Sequence, residues 1–134
     1  MLVCLDVGSR WVGVARTDET ETIAVPVATY DRRRPGTRQE LCEFLDRIAP
    51  RLLIVGVPTS PDGGANRQAR PIRRFANRLA HQAGLDVHYV DESYTTAVAS
   101  EYRSENSSNH RIDALAAALI LEGHLSQVDS ETFQ

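Results

Sequence analysis

The run LLIVGV, Leu52–Val57, contains no polar residue. A segment so short and so uniformly apolar is expected to be a central strand covered on both faces, which requires a sheet held between two layers. No other feature of the chain constrains its architecture as much. The flanking segments fit such a sheet. Leu2–Val7 is a second apolar run, ended by Gly8, and reads as a buried strand. Trp11–Arg16 is rich in Val, and Thr22–Thr29 (TIAVPVAT) is a third strand in which Pro26 favours an edge or a bulge. The links at 8–10 and 17–21 are short and polar, so these three strands should form an antiparallel meander.

Helices alternate with strands in the rest of the chain. Thr37–Ile48 places Leu41, Cys42, Leu45 and Ile48 at helical spacing. Thr37 suits the N-cap, with Glu40 completing a capping box. Asn66–Ala83 carries Ile72, Phe75, Ala76, Leu79 and Ala83 on one face and Arg67, Arg70, Arg74 and Arg78 on the other. Pro71 is tolerated only in a first turn, so the regular helix either starts near Arg70 or kinks there. Asp86–Val90 is expected as a fifth strand, Tyr94–Tyr102 as a short helix, and His110–Leu125 as an Ala- and Leu-rich helix packed closely on the sheet. The order βββαβαβαα gives an α/β fold: a five-stranded mixed sheet, three strands antiparallel and then two parallel, with helices on both faces. Residues 1–125 read as one domain and 126–134 as a flexible tail.

With 134 residues, 42% hydrophobic and 25% charged, the composition is that of one ordinary globular domain. The opening MLVCL lacks the basic stretch and small-residue cleavage site of a signal peptide. No run approaches the roughly 18 apolar residues of a membrane span. Cys4 and Cys42 are isolated, which argues against a disulfide framework or zinc site and for a reducing compartment; the cytoplasm is expected. Net charge is −3, yet all 15 basic residues are arginine. Five of them (Arg67, Arg70, Arg73, Arg74, Arg78) fall between Gly63 and Leu85 with no acid among them. A local basic surface of this kind suits phosphate binding, and a solvated helix face gives the same pattern. The absence of lysine excludes a Walker A loop.

The acids pose the sharper question. Asp6 stands inside an apolar strand, where a lone carboxylate costs several kcal/mol unless it is paired or bound to a metal. Asp91 and Glu92 follow the fifth strand, and Asp113 opens the last helix. If the sheet gathers acids from these places, the like charges need a cation. Oxygen-only ligands suit Mg²⁺ or Mn²⁺. Two such ions about 4 Å apart activate a water and stabilise the leaving oxygen of a phosphodiester. Local roles remain open for each acid. Asp6 can accept hydrogen bonds from the Gly8–Arg10 turn, Asp113 can favour the helix N-terminus, and Asp91 or Glu92 can cap a following helix. Asp18 and Asp62 read as turn residues. Gly8 clears a side chain where a substrate would approach. His81, His88, His110 and His124 show no metal spacing.

LDVGSRWVGVARTD resembles the D-x-G-x-x-x-x-G-V-A opening of the YqgF family, also called RuvX, Holliday-junction-resolvase-like proteins assigned to pre-16S rRNA processing. IVGVPTSPDGG is similar to the family's G-L-P-x-x-x-D-G loop, RRFANRL to its F-A-x-x-L helix, VDESYTTAVA to D-E-R-x-T-T-x-x-A, and RIDALAAALILEGHL to I-D-x-x-A-A-x-x-I-L-x-x-x-L. The match runs in order from Leu2 to about Leu125. The resemblance implies an RNase H-like fold and an acidic triad at Asp6, Glu92 and Asp113, which would hold Mg²⁺ or Mn²⁺, two ions in all. It selects Glu92 over Asp91. Ser93, where the family has arginine, and Pro71 depart from the pattern, and the short loop before Asp113 has only Arg103, His110 and Arg111 for basic character.

The function expected is therefore a metal-dependent nuclease acting on structured nucleic acid, by resemblance in 5′-end processing of pre-16S rRNA. Arg10, Arg67, Arg70, Arg74, Arg78 and Arg111 are the candidate nucleic-acid contacts. The alternative task is resolution of branched DNA as a Holliday junction resolvase, which requires a homodimer for paired cuts. A non-catalytic RNA-binding assembly factor is a third reading, and the acidic triad argues against it. A nucleotide-binding switch of the actin-like type needs two such domains, and 134 residues supply one.

Overall fold

The structure, a computed structural model, describes residues 1–58, 69–91 and 111–132. Five strands, β1 (Leu2–Val7), β2 (Trp11–Thr17), β3 (Ala24–Asp31), β4 (Leu52–Val57) and β5 (Val87–Asp91), form one sheet in the order β3-β2-β1-β4-β5. The β1–β2 and β2–β3 pairs are antiparallel, and β1–β4 and β4–β5 are parallel. The mixed sheet expected from the sequence is the one observed, with β1 in its centre.

Alternation along the strands divides the core in two. Val3, Leu5 and Val7 of β1 join Val12, Val14, Leu53, Val55 and Val57 beneath α1 (Thr37–Ile48) and α2 (Ala69–Ala83). Leu2, Cys4, Ala15 and Ile54 face the other way, onto the helix α3 (Arg111–Thr132). The buried α3 residues Ala114, Ala116, Ala117 and Ala118 let the helix lie close against the strands, as its composition predicts.

Several boundaries move, each for a local reason. Strand β3 starts at Ala24 rather than Thr22, because the Asp18 carboxylate takes the Thr22 and Ile23 amides at 2.8 and 3.1 Å and holds both residues in the turn. Strand β5 begins one residue later than expected and includes Asp91. Pro26 sits on the edge strand and beside the Val14/Ala15 register shift, so both readings of that proline hold. Pro71 is the third residue of α2, where its missing N–H costs no intrahelical bond. The capping box at Thr37 is not formed. Gly36 is the N-cap of α1 in the left-handed region (φ 87°), with no side-chain cap. The Thr37 hydroxyl donates instead to the Asp31 carbonyl at 2.5 Å, and Glu40 pairs with Arg34. Helix α3 continues to Thr132, past the end expected at Leu125. The helix expected at Tyr94–Tyr102 lies outside the described residues.

Candidate functional site

Asp6 is half-buried near the end of β1, and its parity with Leu2 and Cys4 sets it on the α3 face. Its antiparallel partner on β2 is Gly13. Directly opposed residues of an antiparallel pair project to the same face, about 5 Å apart. At Gly13 that face is occupied by backbone: a Cβ there would overlap the Asp113 carbonyl group and approach the Ala114 nitrogen. The first turn of α3 therefore rests on the sheet at the residue opposite Asp6. Asp113 belongs to that turn and is half-buried like Asp6. The fold thus seats the backbone of Asp113 against the strand partner of Asp6, from the opposite end of the chain. Gly13 makes the approach possible, a role that the sequence alone does not assign to it. A glycine within a Val-rich strand signals a close backbone approach in general, but not what approaches.

Glu92 lies outside the described residues. Among those described, no group of three or more His, Cys, Asp or Glu is arranged to hold a metal ion. Asp6 and Asp113 nevertheless offer only oxygen donors, the set that hard divalent cations take. Asp91 ends β5 exposed, beside His88, Ile120 and His124 in a groove between β5 and α3. The His88 and His124 rings stack at 5.4 Å, tilted by 56°.

The end of β1 is tightly turned. The Gly8 amide donates to the Trp11 carbonyl at 2.8 Å, and a Cβ on Gly8 would stand 3.1 Å from that oxygen. The turn itself thus favours glycine at this position, independently of any substrate. Arg10 is half-exposed, pairs with Asp31 at 3.3 Å and lies over the Trp11 ring at 4.7 Å. Arg32 donates to the Gly8 carbonyl at 2.6 Å from the far side of the turn.

The arginine stripe occupies a different layer from the acids. Arg70, Arg74 and Arg78 are exposed on α2, which packs on the sheet face opposite Asp6. The sheet separates them from the carboxylates. Arg73, outside that stripe, stacks on Tyr89 at 4.4 Å. Arg67 and the Arg111 side chain lie outside the described residues. Asp18 is the turn residue that its position suggests, accepting from the hydroxyls of Thr20 and Thr22 as well as from backbone amides. Cys4 and Cys42 are buried free thiols. No helix among the described residues is long and apolar enough to cross a membrane.

Comparison with known proteins adds the following. A family model described as "RuvX: Holliday junction resolvase" matches residues 1–127. A protein of Trichormus variabilis is 40% identical over 124 residues, covering 88% of this chain and 82% of its own. One of Fusobacterium nucleatum is 32% identical over 130 residues, covering 92% and 94%. Both carry the name "Putative pre-16S rRNA nuclease". Among solved structures, Thermus thermophilus RuvC superposes with a TM-score of 0.57 at 16% identity over 96% of each chain. The fowlpox virus resolvase, solved with Holliday junction DNA, gives 0.54 at 13% identity over 95% of this chain and 97% of its own. At such identities the likeness speaks for the fold, the RNase H-like arrangement of these resolvases.

Proposed function

The chain belongs to the RuvX family, and from that membership we propose that it is a metal-dependent nuclease that hydrolyses phosphodiester bonds in structured nucleic acid, with 5′-end maturation of pre-16S rRNA as its task. The observation that supports this most is the seating of Asp113 on Gly13, opposite Asp6. Two half-buried carboxylates in one place repel each other, and a cation removes that repulsion. Asp6, Asp113 and Glu92 are the residues that would hold Mg²⁺ or Mn²⁺. The ions would supply activation of water and stabilisation of the leaving oxygen. The protein's own part is to fix the carboxylates on β1 and α3. Exposed Arg70 and Arg74, near the start of α2, would contact the backbone of the substrate strand as it approaches. Buried free thiols accord with a cytoplasmic protein.

The test offers the purified chain, with Mg²⁺ and with Mn²⁺, single-stranded RNA, a pre-16S leader, duplex DNA and a four-way junction. Cleavage of the leader is expected, lowered about 100-fold or more by Asp6→Asn, at least the scale of losing a group that supports a metal ligand. In EDTA that variant should melt no lower than the parent chain, since the substitution relieves like-charge repulsion. No cleavage of any substrate with either metal would end the proposal, and tight leader binding without cleavage would favour an RNA-binding assembly factor. The family description and the RuvC-like fold support a second reading, resolution of branched DNA. Cleavage confined to the four-way junction would select it.

A further inference from the structure

We propose that the loop leading from β3 into α1 is a second nucleic-acid surface, in which Arg32, Arg33 and Arg38 bind the phosphate backbone and lead the strand toward Asp6. The destination of the strand rests on the nuclease reading; the binding does not. The guanidinium of Arg32 is fixed from two sides. It donates to the Gly8 carbonyl at 2.6 Å and lies over the Phe75 ring at 4.8 Å. It is half-buried, and burial pulls its pKa below the ordinary arginine value. Among the described residues no carboxylate pairs with it. A partly desolvated cation with no counter-charge gains from an anion, and a guanidinium has five N–H donors, of which the Gly8 carbonyl engages one.

The neighbouring charges leave this end of the protein positive. Asp31 is engaged by Arg10 and Glu40 by Arg34. Arg33 and Arg38 are exposed and belong to none of the ion pairs among the described residues. With Arg32, Thr37 and Phe75 they line an open depression of about 330 Å³. Its cations are spread along a shallow surface, which fits successive phosphates of a polymer better than one enclosed anion. Gly8 follows Asp6 by two residues, so the contact from Arg32 to the Gly8 carbonyl joins this depression to the end of β1 that carries the acid. Phe75 of α2 lines the same depression, so this surface runs from the α2 layer to the rim where β1 ends.

The measurement is anisotropy of a fluorescein-labelled 20-nucleotide single-stranded RNA in EDTA, over a range of KCl concentrations. The proteins compared are the parent chain, the double variant Arg33→Ala/Arg38→Ala and the control Arg47→Ala, which removes a cation from the last turn of α1. The double variant should lose about 1.4 from the slope of log K against log salt, about 0.7 for each single-strand phosphate contact. On any substrate that the parent cuts, it should raise KM and leave kcat unchanged. A slope equal to that of Arg47→Ala, or no RNA binding by the parent, overturns the proposal. So does displacement of the RNA by millimolar inorganic phosphate at matched ionic strength, because that would mark a site for a free anion. RNA binding that depends on Arg33 and Arg38, in a chain that cuts nothing, would uphold this surface and end the nuclease reading.

Discussion

Asp18 shows how much one side chain can organise. Its carboxylate accepts from the Thr20 hydroxyl at 2.5 Å, from the Thr22 amide at 2.8 Å and from the Ile23 amide at 3.1 Å. These hydrogen bonds, that from Thr20 foremost, hold its pKa well below the ordinary carboxylate range. The folded chain therefore takes up this proton less readily than the unfolded chain. The resulting stability is complete above the unfolded pKa of about 3.9 and is lost as the pH falls toward the folded value. Asp18→Ala should lower the urea midpoint at neutral pH, and the gap from the parent should shrink below about pH 4. A gap that stays constant into acid would show that the carboxylate contributes only packing. Asp18 and Asp6 were both legible in the sequence, one from its polar turn and the other from its apolar strand. Gly13 was not, because its meaning lies in a helix that begins 98 residues later, at Arg111.

At the scale of elements, the seam between β2 and α3 carries the strictest requirement. Gly13→Ala would drive a methyl group into the Asp113 carbonyl, which is backbone and cannot rotate aside. Helix α3 must then lift, at a cost of about 2 kcal/mol or more. Denaturant unfolding should register that loss, and cleavage should fall further than stability because Asp113 moves with the helix. Parent-like stability would mean that α3 does not rest on Gly13. The elements themselves were largely readable, since apolar runs and 3.6-residue spacing report burial directly. The start of α1 was not. Thr37 and Glu40 match a capping box, yet Thr37 reaches the Asp31 carbonyl at the end of β3 and Glu40 reaches Arg34 in the connection before the helix. A local pattern loses when longer-range partners satisfy the same groups. The arginine stripe was also readable as a pattern, but only the layering shows that the sheet stands between α2 and Asp6.

The proposed site, among the described residues, is where β1 ends and α3 begins, and one such site would serve one scissile strand at a time. A four-way junction has two equivalent strands to cut. Junction cleavage, if this chain performs it, should therefore appear only at concentrations where sedimentation shows a dimer. Paired, symmetric cuts by a proven monomer would contradict this. The seam at Gly13 also orders events in time. Asp6 leaves the ribosome early, and the surface of Leu2, Cys4, Ala15 and Ile54 stays bare until α3 follows. Strands and the first two helices can collapse on their own side during translation. Asp113 cannot take its place opposite Asp6 until its turn has been made and has docked, so on the proposed reading a nascent chain would carry no complete cutting site beside the ribosomal RNA that is making it.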